Sequence, residues 1–435
     1  MNPSSLCLLI ALLWAGLASA APEVPGQPQS RPIALVGGTV CPASGPPLES
    51  ATLSFSEGKI VAIGRDLSLP PGTEKIDVAG KRVYPGLINA HSQLGLMEID
   101  LVRATRDQIE AGEINPNVKA QIAFNPDSEL IPVARSNGVL LSLTAPSGGT
   151  ISGTSALMQL DGWTWEDMTV RAGVGMHIAW PRTTPLRTSV RPPEQIDAAR
   201  RERAISAIRQ AIADARGYQS ARSSPGSEAK FDARWEALLP VLEGKMPVVV
   251  NADEITQIQA AVAWALKEKL RLVILGGYDA PRCAALLREH DIPVIVNGVN
   301  RLPQRVSDPY DAAYSVPARL HGAGVRFCIA EQNEPWNARN LPYHASTAVA
   351  FGLPADEALR AITLNSAQIL GAADRVGSLE TGKDATLFVA SGDILEVPTQ
   401  VEMAFIQGRR VDLSDRHKRL WEKYKEKYDR MGIRN

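Results

Sequence analysis

Between residues 83 and 375, short apolar runs rich in β-branched residues alternate with longer amphipathic stretches, and few folds accommodate that rhythm. The runs include VYPGLINA, GVLLSLTA, PVVVNA, LRLVILGG, IPVIVNG and GVRFCIA; the amphipathic stretches include ITQIQAAVAWALKEK, PRCAALLREH and PADEALRAITLNSAQIL. A strand that is apolar along its whole length is buried on both faces, as in a parallel sheet covered by helices. The number of such units predicts an α/β chain closed into a (β/α)8 TIM barrel, a fold of about 250 residues.

The segments on either side have another texture. Residues 32–82 read as short strands separated by Gly and Pro turns, and the same texture returns over residues 376–412. A small β-sandwich domain, split between the two chain ends, is the expectation. Residues 192–218 read as a long charged surface helix followed by a polar loop. Residues 413–435 form a helix dense in Lys, Arg and Glu, with an apolar edge at Leu420, Trp421 and Tyr424. That helix reads as a docking or subunit-contact element.

The first twenty residues carry an apolar core and a small-residue Ala-Ser-Ala site, which read as a signal peptide, and the apolar run is too short to span a bilayer. A secreted or periplasmic protein follows, with residues 21–31 as a disordered lead-in. Beyond the leader, Cys41, Cys283 and Cys328 form neither a disulfide framework nor a metal cluster and read as small buried hydrophobes. A net charge of −1 gives no footprint for nucleic acid.

Several motifs are more specific. YPGLINAHSQLGL at residues 84–96 resembles the first barrel strand of the amidohydrolase superfamily, especially its imidazolonepropionase-like members. VGSLETGKDATLFVASGD at residues 376–393 is similar to that family's return to its β-domain, and VEMAFIQGRRV to its closing strand. VGGTV and GKIVAIG match the family's start. The resemblance implies a hydrolase acting on carbon–nitrogen bonds of non-peptide or cyclic amides. It implies one or two divalent metals held by a His-x-His pair, a Lys or Glu, two further His and an Asp. A metal-bound water would then supply hydroxide.

This chain departs from that set. The first strand offers His91 and Gln93, so the second histidine is an amide. PVVVNADE has Asn251 at a histidine position, LRLVILGGYDA has Gly276 or Gly277 at the next, and Glu331, Gln332 and Asn333 stand near the final aspartate. The expectation is an altered site with at most one divalent metal, zinc or similar, on His91, Gln93 and Asn251. Glu98, Asp100 and Glu331 are the candidate acid–base groups; His177, Tyr278, Asp279 and Gln332 are the candidates for substrate contact. Residues 145–153 offer backbone N–H groups for an anion nest, and Asp253 and Glu254 read as helix caps.

Two readings stay open at this level: an altered hydrolase on a small-molecule substrate, or a non-catalytic relative. The latter would bind a ligand, form a homo-oligomer or pair with an active amidohydrolase. Metal-free acid–base chemistry at Glu98, Asp100 or Glu331 is a third.

Overall fold

A computed structural model describes residues 24–183, 198–224, 230–332 and 334–433. The expected leader lies outside these residues, as do the start of the surface helix and part of the polar loop after it.

The N-terminal strands are β1 (Ile33–Val40), β2 (Leu48–Ser56), β3 (Lys59–Gly64), β4 (Glu74–Asp77) and β5 (Arg82–Pro85). Then come β6 (Leu87–Ser92), β7 (Val139–Thr144), β8 (Ile151–Thr154), β9 (Ala156–Gln159) and β10 (Thr169–Arg171). They are followed by β11 (Met176–Ala179), β12 (Val248–Ala252), β13 (Leu272–Gly276), β14 (Val294–Asn297) and β15 (Phe327–Ala330). The last are β16 (Leu387–Ala390), β17 (Val401–Ile406) and β18 (Arg409–Val411).

One sheet joins the two chain ends in the order β18-β17-β16-β5-β1-β2-β3, with β4 on β1. The seam is the antiparallel pairing of β16 with β5, which sets Val389 opposite Val83. Apolar side chains alternate towards one face, where Leu35, Leu53, Phe55, Val83, Leu387 and Phe405 are buried together. The Phe55 and Phe405 rings meet edge to face at 4.9 Å. The lead-in also has defined partners. Gly26 N donates to the Asp161 carboxylate, and Gln29 donates to Phe55 O while accepting from Gly58 N.

The apolar runs of the middle region become β6, β7 and β11–β15, and their burial is nearly complete. β11 to β15 are all parallel, as is β6 with β7. Between these two groups the strictly parallel expectation fails. β8 and β9, separated only by Ser155, run antiparallel to β11 and to β7 respectively. The chain doubles back after β7 with no intervening helix, because SGGT at residues 147–150 supplies a turn short enough to return at once. The succession of neighbours is therefore β6, β7, β8–β9, β11, β12, β13, β14, β15. At its two ends, Glu331 N, just past β15, donates to Asn89 Oδ1 on β6 at 3.1 Å.

The helices Ile255–Lys267, Val316–Gly322 and Leu341–Ala350 pack outside these strands. The helix Ala198–Ser223 rests on Ala233–Leu242. It buries Ile208, Ala211, Ile212 and Ala215, at three- and four-residue spacing on one face. The three cysteines are free and buried.

Candidate functional site

The first barrel strand, β6, carries an extra residue. Asn89 pairs with Ser142 and Ser92 with Thr144, so three steps on β6 match two on β7. Such a bulge re-aims the side chains within it, and His91 lies inside this one. His177 projects from β11. The two imidazole rings approach to 5.7 Å between centroids, and both residues are buried. Burial pulls the His177 imidazole down to about 3, with His91 adding to the fall. His177 is therefore neutral at ordinary pH, and its Nε2 has no hydrogen-bond partner among the described residues.

Glu331 follows the last strand, 1% exposed. Glu334 N–H and the Asn89 side-chain amide lie near its carboxyl and offset part of the burial, but neither forms a hydrogen bond of good geometry. Burial pushes this carboxyl up to about 9, so at neutral pH it holds its proton and is a donor. Nearby, Asn89 Nδ2 and Ser142 Oγ are also buried without partners. Each such atom costs about 1–3 kcal/mol. Folds keep them where a solvent molecule or ligand completes the bonding.

The other expected residues go elsewhere. Gln93 is buried with its amide donating to Ser147 Oγ at 3.0 Å. Asn251 is exposed at the end of β12, and its backbone carbonyl accepts from Trp180 N. Asp100 is corrected to a solvent-facing residue, 3.6 Å from Arg106. Glu98 is half-buried beside Ser128 and Glu129; burial raises its carboxyl, and Glu129 adds to the rise. Gln332 lies against Gly298 and donates to Asn300 O; Asn333 lies outside the described residues. The expected anion nest is already filled, since Ser147 N donates to Gln108 O and Thr150 N and Ile151 N both donate to Glu113 O.

Tyr278 and Asp279 do not stand free at a vacated ligand position. Tyr278 Oη donates to Asp308 at 2.8 Å, and the Arg301 and Arg305 guanidinium groups lie over its ring at 5.1 and 5.6 Å from the centroid. Burial pushes its phenol up to about 12. Asp279 is bound by Arg305 and accepts from Ile255 N. The centre of this network is Asp253, which the sequence read as a cap. Glu254 is the cap, forming a capping box with Gln257. Asp253 instead accepts from Arg301 through both oxygens at 3.0 and 3.3 Å, from Gln304 at 3.0 Å and from Tyr278 N at 3.1 Å. Burial opposes ionisation of Asp253, but Arg301 and the hydrogen bonds outweigh it and hold the carboxyl below its usual range. The sequence offered no sign of this pairing, because Arg301 sits in an irregular loop. A further buried histidine, His344, accepts from Val299 N and Asn300 N through Nδ1, and burial lowers its imidazole to about 4.

A divalent metal needs several ligands converging on one point. Among the described residues no group of three or more His, Cys, Asp or Glu side chains is so disposed. The β13 position is closed as well. Gly276 has φ +105°, and a β-carbon there would lie 2.8 Å from Asp253 Oδ1. The residues present do not fit the metal set that the sequence resemblance implies.

The Amidohydrolase family model matches residues 251–411. The imidazolonepropionase of Mesorhizobium japonicum is 26% identical over 403 residues, covering 86% of this chain and 92% of that protein. The amidohydrolase tasK of Hapsidospora irregularis is 25% identical, covering 76% of this chain and 36% of its own. Among solved structures, an amidohydrolase from Thermotoga maritima superposes with a TM-score of 0.79 at 26% identity, covering 87% of this chain and 99% of that one. With strand motifs at both ends, a family model matching its C-terminal part and imidazolonepropionase relatives spanning most of its length, the chain is similar to the amidohydrolase superfamily, and to imidazolonepropionases within it.

Proposed function

We propose that this protein hydrolyses a carbon–nitrogen bond in a small, cyclic amide, at the end of the barrel where His91, His177 and Glu331 are buried. The succession of eight strand positions supports a ring closed between β15 and β6, as a barrel of this family requires. The sheet made from both chain ends would form the side domain, with boundaries near residues 32–82 and 376–412.

The observation that carries the reading is the state of Glu331. A buried carboxyl that keeps its proton at neutral pH, with only loosely placed donors from Glu334 and Asn89 beside it, is suited to donate to a substrate carbonyl or leaving nitrogen. Glu331 gives its proton to the leaving nitrogen as water attacks the amide carbon. The carboxylate so formed takes up the proton that the water releases, so that the C–N bond breaks to leave an amine and a carboxylic acid with Glu331 protonated again. Neutral His177 is too weakly basic to take a proton from water, so its free Nε2 orients the nucleophile by accepting a hydrogen bond. Members of the amidohydrolase family usually bind a divalent metal that polarises the carbonyl and activates water, and the described residues of this chain do not fit it.

A panel of cyclic amides, including an imidazolone, tests this proposal with the purified protein, with and without added divalent ions. Turnover that falls by about 100-fold or more in Glu331→Gln is expected, in line with the loss of a general acid. No turnover on any panel member, or turnover indifferent to Glu331→Gln and His177→Gln, would overturn it.

The closure of the β13 position by Asp253 favours a second reading, a non-catalytic relative that binds a ligand or an active partner. Saturable binding of a panel member without turnover would select it.

A further inference from the structure

The C-terminal helix Arg416–Arg430 has no buried residue. Leu420, Trp421, Tyr424 and Tyr428, with Met431 just beyond, are nonetheless large and apolar, and all are exposed, Trp421 to 63%. At 100° per residue these five positions fall in one stripe roughly 100° wide. Lys423 and Lys427 border the stripe on one side and Lys425 on the other, and His417 falls within it. Glu422, Glu426 and Asp429 stand at the opposite pole with Arg419 and Arg430 beside them, while Lys418 donates to Leu413 O. Seven Lys and Arg face three acids over the helix.

The helix meets the body of the protein at its first turns, where Arg419 pairs with Glu129 at 2.8 Å and Lys418, Arg419 and Glu422 line the cleft between the helix and β17–β18. The aromatic stripe faces outward. Lysine ammonium groups lie over its rings, with Lys425 Nζ 5.0 Å from the Trp421 centroid and Lys427 Nζ 5.8 and 5.7 Å from those of Tyr424 and Tyr428. This places apolar ring area beneath cationic tips, as in side chains that reach from an apolar layer to charged headgroups.

We propose that this helix lies flat on an anionic lipid bilayer, with Trp421, Tyr424 and Tyr428 at the headgroup boundary and the bordering lysines on lipid phosphates. Charge decides against a second copy of the chain as the occupant. Pairing two stripes face to face would bring lysine borders against lysine borders, with the acids out of reach at the far poles. No helix among the described residues is long and apolar enough to cross a membrane, so the contact is peripheral.

The full chain is mixed with vesicles of phosphatidylcholine alone and of equal parts phosphatidylglycerol and phosphatidylcholine, and bound protein is measured by flotation. Binding to the anionic vesicles only, weakened by added salt, is expected. A Lys423→Glu/Lys425→Glu/Lys427→Glu variant should bind on the order of 100-fold more weakly. Trp421→Ala should also lose affinity while melting at the wild-type temperature, since its ring is not part of the core. Equal binding to both vesicles, no binding to either, or anionic binding unchanged in both variants would overturn the proposal. So would a dimer in sedimentation equilibrium that Trp421→Ala separates, which would give the stripe to a second copy.

Discussion

Oδ1 of Asp253 lies 2.8 Å from the point where a β-carbon on Gly276 would stand, so the end of β13 is closed to any side chain. With φ at +105°, Gly276 is also in a backbone region that L-residues rarely occupy. Gly276→Ala is expected to lower stability by about 2 kcal/mol or more, from backbone strain and from pushing Asp253 off its partners. Urea unfolding measures this. A Gly276→His variant, which restores a ligand-type residue in sequence, should be less stable still and gain no metal. A stable Gly276→His variant that takes up stoichiometric zinc would contradict the steric argument.

The Asp253–Arg301 pair is mostly shielded from solvent, with side chains 15% and 17% exposed. Removing one member leaves the other charge poorly solvated, so Asp253→Ala should cost about 3 kcal/mol. Removing both should cost less than the sum of the single changes. A double-mutant cycle read by denaturation gives the coupling, and additive losses would mean that the pair does not hold the loop after β14 onto β12 and β13.

Glu331 makes stability depend on pH with a definite sign. Its unfolded-state value is near 4.5 and burial raises the folded value to about 9. The folded chain therefore binds more protons than the unfolded chain between these values. The contribution is fully present below about pH 4.5 and is lost as pH rises through the folded value. Glu331→Gln keeps the shape and removes the proton. Relative to wild type, the variant should gain on the order of 1 kcal/mol per pH unit from about pH 5 to 8. Parallel stability curves for the two proteins would show that Glu331 is ionised in the fold.

Asp161, buried at the end of β9, holds three partners from distant parts of the chain. Arg135 and Arg409 approach at 3.4 and 3.3 Å, and Gly26 N donates to both oxygens. Asp161→Ala should release the lead-in first, seen as cleavage near residues 24–31 by a dilute protease that spares the wild type. It should also destabilise the protein by about 3 kcal/mol, because two guanidinium groups lose their counter-charge. An unchanged digestion pattern would show that Gly26 is held by other contacts.

Much of this architecture is legible in sequence because it rests on periodicity. Continuous apolar runs mark β7 and β11–β15, and the two end motifs mark a sheet completed by the chain's last strands. His91 and His177 are each legible as strand histidines, but the approach of their rings to 5.7 Å is not. What sequence does not reveal is where partners meet across irregular backbone. β8 and β9 are too short, and too close to Gly153, for their direction to be read. Arg301 stands in a loop whose path carries no pattern, so its grip on Asp253 is invisible, and with it the reason that Gly276 is glycine. Asn251 looks like a replaced ligand by position alone, yet it is exposed.

The seam between β5 and β16 sets a constraint on the order of synthesis. β5 is made early, and the strand that covers its edge is made about three hundred residues later. Until β16 has been made, that edge has no native neighbour and the apolar face of β1 and β2 lacks Leu387 and Phe405. Folding of this sheet thus waits for both distant segments. A chaperone, or passage through a translocation channel as an extended chain, has a natural interval in which to act, and truncated products leave an open, sticky edge for quality control to recognise.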